Sequence, residues 1–308
     1  MDFGKLARIE DVDFSFPPLP PDSEAWLDTL PEPQEPPRVF VGCPVWGNKS
    51  WRGKVYPEKA RERDFLSFYA RQFACIELNT THYRIPDLNT IRRWRSQTPA
   101  DFLFCPKIPQ EISHKHQLKH AKALSDQFVY AISGLESRLG LSFLQLPPTF
   151  SPAQGEVLCR YLEDFPDGVA LSVEFRHPAW FDGSRSEEVD TVFDFMRQHG
   201  FGTVITDVAG RRDVLHQRLS STTLAVRFIG NGLHPTDFTR ADDWVTHLKD
   251  WTKRGIRTVY FWVHQPDNDL APEMARYVIQ QFNKELGLEL NEPVLVPAHK
   301  PSQQTSLF

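Results

Sequence analysis

Apolar and polar side chains alternate through VALSVEFR (169–176). Leu171, Val173 and Phe175 fall on one side of an extended chain, and Ser172, Glu174 and Arg176 on the other. The same period, or a short apolar run, recurs at RVFVGC (38–43), CIELNT (75–80), FLFCPK (102–107), GLSFLQL (140–146), GTVITDV (202–208), TLAVRFIG (223–230) and RTVYFWVH (257–264). Between these runs the spacing turns helical, predicting helices over 57–73, 88–98, 116–135, 152–165, 186–200, 241–255 and 271–286. The sixth unit is the weakest, because AGRRDVLHQRLSS offers at most a short helix.

Strict alternation of strand and helix means a parallel sheet, since parallel strands need crossover helices. Eight such strands over about 250 residues predict an α/β fold, a closed (β/α)8 TIM barrel. A doubly wound open sheet is the competitor. Its glycine-rich fingerprint is missing from the first turn, GCPVWGNKSWRG. The barrel is assigned to residues 38–290. Residues 1–37 form a proline-rich acidic arm that wraps the surface, with Phe14, Phe16, Trp26 and Leu27 as docking side chains. Residues 291–308 form an extended tail.

Charge changes this picture in one respect. The arm carries nine acidic and two basic residues, −7, which leaves +2 of the total −5 for the rest of the chain. A nearly neutral body does not support strong non-specific nucleic-acid binding, which needs many phosphate contacts. The four cysteines, at 43, 75, 105 and 159, have no CxxC spacing, which excludes a zinc ribbon. The sequence has no apolar run long enough for a membrane span and no signal-peptide pattern. A cytoplasmic protein with no membrane partner is expected.

Barrel parity identifies candidate chemistry. The apolar side of each strand faces the helices, so the other side points into the barrel. That rule sends Glu77, Asn79, Lys107, Glu174, Arg176, Arg227 and His264 inward, with Gln145 and Asp207 near strand ends. Three acids, Glu77, Glu174 and Asp207, are expected to meet three bases, Lys107, Arg176 and Arg227. Pairing makes burial tolerable, but an apolar core would serve stability as well or better. Charges crowding the C-terminal ends of barrel strands therefore point to a site. An internal ion network that only fixes barrel geometry is the alternative.

On the site reading, Glu174, Lys107 and Asp207 are catalytic, with Glu174 as general acid or base. Lys107, Arg176 and Arg227 hold a phosphate or carboxylate, and Asn79, Gln145 and Tyr83 orient it, with His177 and His264 nearby. The basic stretch after strand three adds His114, and it places His116, Lys119 and His120 on one helix face. Trp46, Trp51, Tyr56, Tyr83 and Trp180 could stack on a ring-bearing ligand. His177 and His264 with Glu174 and Asp207 are a metal-capable donor set, but without HxH or HExxH spacing no metal is assigned and the cofactor is left unknown. No GxSxG elbow supports a serine nucleophile.

The chain ends in QTSLF. Gln304, Leu307 and Phe308 match the Q-x-x-L-F pattern of peptides that bind bacterial DNA sliding clamps, with two apolar anchors and an amide on an extended tail. An accidental match is the alternative. A clamp partner would favour hydrolase or lyase chemistry on an anionic small molecule or a nucleic-acid-derived substrate. A non-catalytic, clamp-tethered or ligand-binding barrel is the second reading.

Five segments carry a family resemblance: VGCPVWGNKSWRGKVYP, FACIELNTTHYRIP, TPADFLFCPKIPQEISH, LSFLQLPPTF and LSVEFRHPAWF. In this order they resemble the YecE-like barrels, a domain of unknown function. The resemblance implies a (β/α)8 barrel of cytoplasmic type and no established reaction. Glu77, Asn79 and Tyr83 match the family's strand-two motif, Lys107 its strand-three lysine, and Glu174, Arg176, His177 and Trp180 its strand-five motif. At strand eight the family has an aromatic followed by paired asparagines, where this chain has FWVHQPDN; His264 or Asn268 would stand in for the amide.

Overall fold

The structure, a computed structural model, describes residue 4 and residues 6–296. Its eight strands are β1 (Arg38–Cys43), β2 (Cys75–Leu78), β3 (Leu103–Pro106), β4 (Ser142–Gln145), β5 (Leu171–Glu174), β6 (Gly202–Asp207), β7 (Thr223–Ile229) and β8 (Thr258–His264). All pairings are parallel, in the order β3-β2-β1-β8-β7-β6-β5-β4. The two ends of that order meet through isolated bridges, Phe104 with Leu139 and Lys107 with Phe143. Gly140 N–H donates to Phe104 O (2.8 Å), and Ile108 N–H donates to Phe143 O (2.9 Å). The sheet is thus a nearly closed TIM-type barrel with one thin seam.

Period-two patterning builds two cores. Val39, Val41, Ile76, Leu78, Phe104, Val173, Val226, Phe228, Phe261 and Val263 face outward into the layer shared with the helices. The opposite faces supply a plug inside the barrel, made of Cys75, Leu103, Cys105, Leu141, Phe143, Val204, Ala225, Tyr260 and Trp262. Backbones approach closely at Gly42, where a Cβ would sit 2.0 Å from Cys75 O, so only glycine fits.

The helices are α1 (Pro21–Asp28), α2 (Phe65–Tyr69), α3 (Thr80–Tyr83), α4 (Leu88–Ser96), α5 (Lys122–Ser133), α6 (Gly155–Glu163), α7 (Ser186–His199), α8 (Pro235–Lys253) and α9 (Ala271–Leu286). Three depart from the expected spans, and α8 does so by starting at Pro235, six residues before expected. The helix expected over 57–73 is reduced to α2, preceded by a short 3-10 turn at Glu62–Asp64. The helix expected from residue 116 starts only at Lys122. Residues 111–115 form a single π turn, and Gln117, Leu118 and His120 have positive φ, of 46°, 69° and 53°. His116, Lys119 and His120 therefore share no helix face. They are exposed, and His116 lies 3.6 Å from the exposed Glu111.

The acidic arm lies against the barrel and includes α1. Asp22 pairs with Arg197 (2.5 Å) and Arg218 (3.2 Å), and Asp28 with Arg254 (2.7 Å). Phe16 packs edge-on against Trp244 at 4.9 Å. The start of the arm reaches the C-terminal end of the barrel, where Gly210 N–H donates to Gly4 O (2.9 Å). After α9 the chain runs without regular structure; Val294 N–H donates to Gln72 Oε1 (2.8 Å) and Val296 N–H to Lys54 O (2.9 Å). Gln304, Leu307 and Phe308 lie outside the described residues. Among the described residues, no helix is long and apolar enough to cross a membrane.

Candidate active site

The strand parity brings Glu77, Glu174 and Arg227 together above the apolar plug. Arg227 Nε and Nη2 donate to Glu77 (3.1 and 2.9 Å), and its Nη1 reaches both Glu174 oxygens at 3.2 Å. Glu174 also accepts from Gln145 Nε2 (2.7 Å), Arg176 Nε (2.8 Å) and Thr206 Oγ1 (2.8 Å). Glu77 accepts from Asn79 Nδ2 (2.8 Å), and His264 Nε2 lies 2.6 Å from its Oε2. Burial by itself would raise both carboxyls. The neighbouring positive charge outweighs it, chiefly Arg176 and Arg227 at Glu174 and Arg227 and His264 at Glu77, and holds both well below the usual carboxylate range.

Lys107 follows β3 and differs from its neighbours. Its Nζ donates to Gln145 Oε1 (2.9 Å) and stands over the Phe143 ring, 5.9 Å from the centroid. No carboxylate of the described residues forms an ion pair with it. Burial, reinforced by the Arg227 charge, brings its pKa down to about 7. Beside it, His82 on α3 and His114 on the π turn meet edge to face at 5.1 Å. Burial, then the Lys107 charge, lowers both rings to about 4, so both are neutral at pH 7. His82 Nδ1 lies 2.8 Å from Ile108 O. A carbonyl only accepts, so Nδ1 carries the proton and Nε2 keeps a lone pair.

The two carboxylates are sealed at 0% exposure, whereas Lys107, Arg176 and Arg227 retain 7–8%. The small exposed fraction of the ring is therefore cationic. A cavity of about 520 Å³ opens at this end, lined by Trp46, Asn48, Glu77, Asn79, Tyr83 and Asp267; of the ring it reaches Glu77, and not Lys107, Arg176 or Arg227. A larger one, about 860 Å³, lies outside the barrel against Tyr56, Phe68 and Val296 and touches none of the ring. The smaller cavity adjoins the Glu77 and Asn79 side of the ring.

Several expected members stand elsewhere. Asp207 does not join the ring, because Thr206 takes the inward position of β6. Asp207 faces α8, where it pairs with Arg240 (2.8 Å) and with Arg212, and accepts from Trp244 Nε1 (2.8 Å). His177 Nδ1 accepts from Ala179 N–H (3.1 Å) and caps the turn Pro178–Trp180. Tyr83 is 73% exposed at the cavity rim and outside the hydrogen-bonded ring. Trp51, Tyr56 and Trp180 are buried, so they are core side chains rather than stacking platforms; Trp46 lines the mouth. Among the described residues, no group of three or more His, Cys, Asp or Glu side chains is arranged to hold a metal ion. His82 and Thr206 are the site residues that sequence reasoning missed. The only signal for His82 was its place three residues past Asn79.

The family described as "Protein of unknown function DUF72" matches residues 40–300. The chain belongs to the DUF72 family. A DUF72 relative, UPF0759 protein YecE of Escherichia coli K12, is 32% identical over 288 residues, 88% of this chain and 100% of that one. UPF0759 protein YunF of Bacillus subtilis is 22% identical over 170 residues, 53% of this chain and 58% of that one. Among solved structures, a DUF72 protein from Thermotoga maritima superposes with a TM-score of 0.60 at 26% identity, over 82% of this chain and 100% of that one. One from Enterococcus faecalis V583 reaches 0.62 at 19% identity, over 82% and 99%, a likeness of fold alone.

Proposed function

We propose that the barrel mouth is an anion-binding active site in which Lys107, rather than Glu174, is the group that exchanges protons and reacts. The observation that carries this is the buried lysine with, among the described residues, a single amide oxygen as its hydrogen-bond partner. Two of the three N–H donors of a charged Lys107 are left for a ligand. Arg176 and Arg227 add positive charge beside it, so a phosphate or carboxylate is the fitting ligand. Glu174 has its lone pairs committed to four donor side chains and is a poor base near neutral pH. Its role is to orient Arg176, Arg227 and Gln145. A reactive amine in place of an activated water favours a lyase over a hydrolase.

Titrating sulfate and inorganic phosphate into wild type and Lys107→Met, followed by calorimetry, tests the site. Binding is expected to weaken at least about tenfold in the variant, the loss of one charge-assisted contact. Equal affinity in both proteins would overturn the reading. A link to DNA metabolism rests on the QTSLF ending alone. Deleting residues 304–308 is expected to abolish binding to a bacterial sliding clamp and to leave sulfate binding unchanged.

A further inference from the structure

A lysine amine becomes a nucleophile when it sheds its proton near neutral pH and is held where water is scarce. Lys107 is buried to 7% exposure, and burial with the Arg227 charge favours its neutral amine. Phe143 forms an apolar floor beneath Nζ, and Gln145 Oε1 fixes one N–H. Gln145 is itself fixed by Glu174, which accepts from its Nε2 at 2.7 Å. The lone pair is therefore confined to few directions. We propose that Lys107 forms an imine with the aldehyde or ketone of an anionic substrate, whose phosphate or carboxylate is held by the neighbouring arginines. This deepens the anion-site reading and rests on it.

The step balances without an oxidant or reductant. The Nζ lone pair attacks the carbonyl carbon, and the C–N bond forms as the C=O π pair moves to oxygen. That oxygen takes up two protons in total and leaves as water, while nitrogen gives up two. Amine and carbonyl become imine and water. His82 Nε2, with its lone pair, and the neutral His114 ring lie within range of the Lys107 charge as carriers for these protons. A protonated imine then draws electrons from the adjacent C–H or C–C bond, as bond cleavage by a lyase requires.

Hydride trapping tests the proposal. The full-length protein is incubated with cyanoborohydride and, separately, 2-deoxyribose 5-phosphate, pyruvate, or an oligonucleotide bearing an abasic site, and the adduct is mapped by peptide mass spectrometry. One adduct is expected on Lys107, in at least about tenfold excess over Lys115, Lys119 or Lys122. Lys107→Arg keeps a cation at the position but loses the adduct. Trapping of the sugar phosphate or pyruvate alone assigns a small-molecule carbonyl, and trapping of the oligonucleotide assigns a nucleic-acid aldehyde. Label spread evenly over surface lysines, or equal label in Lys107→Arg, overturns the imine. If sulfate binds and Lys107 stays unlabelled, the imine falls and the anion site stands. If sulfate does not bind, the reading beneath falls too.

Discussion

Two clusters of buried acids and arginines stand a few side chains apart, and they are built for different ends. One is the ring of Glu77, Glu174, Arg176 and Arg227 inside the barrel. The other surrounds Asp207 between β6 and α8, where Arg240, Arg212 and Trp244 converge on one carboxylate. In the second, Arg240 is entirely buried, also donates to the carbonyls of Asp207 and Ile229, and carries Phe14 of the arm over its guanidinium at 5.1 Å. Every contact there ties one element to another: strand, helix, loop and arm. The ring inside the barrel has the same ingredients plus a lysine that forms no ion pair among the described residues. Contacts that join elements mark a rivet, and a cation without a paired carboxylate marks a place for something else to bind.

The largest expected effect breaks the rivet. Asp207→Ala removes the nearer counter-charge of Arg240, leaving Asp237 at 3.6 Å, and takes the counter-charge of Arg212; it should cost about 3 kcal/mol in chemical unfolding, with sulfate affinity unchanged in the folded protein. Lys107→Met should move stability the other way. The folded-state pKa of Lys107 is lowered from 10.5 to about 7, so the unfolded chain binds more protons between those values. Its charged form is penalised on folding most below about pH 7. The methionine variant should gain on the order of 1–3 kcal/mol there, and the gain should vanish as pH rises toward 10.5. Denaturant melts of both proteins at several pH values read this directly.

Binding should follow the same titration. Sulfate keeps its charge throughout, so its affinity should fall by about tenfold from about pH 6 to about pH 8.5 as Lys107 deprotonates. A flat profile would mean that the arginines alone hold the anion. The smallest effect is expected at the arm. Phe14→Ala removes a ring from above Arg240 and Arg212 and should cost about 1 kcal/mol or less, seen as faster proteolysis of the arm before any change in the barrel.

Much of the ring was legible because a strand's period is two, and one apolar face fixes where the other points. Glu77, Glu174, Arg227 and His264 follow from Leu78, Val173, Val226 and Val263. Asp207 was misplaced for a physical reason. GTVITD has small or β-branched residues on both faces, so hydrophobicity does not choose between Thr206 and Asp207. The segment after β3 was misread because left-handed backbone at Gln117, Leu118 and His120 leaves no trace in a chain of ordinary helix formers. His82 sits past the end of its strand, where parity no longer applies. The crowd of donors around Glu174 left no trace in the sequence, because it exists only in three dimensions.

The seam between β3 and β4 gives the barrel a direction of compliance. Elsewhere neighbouring strands share continuous ladders; here two amides, of Gly140 and Ile108, bridge the gap beside Lys107. Deuterium uptake should begin at these two amides and reach the ladders of β7 and β8 last. Strain from a ligand drawn down onto Lys107 would be relieved by parting this joint, so the barrel would yield like a split ring rather than a closed hoop.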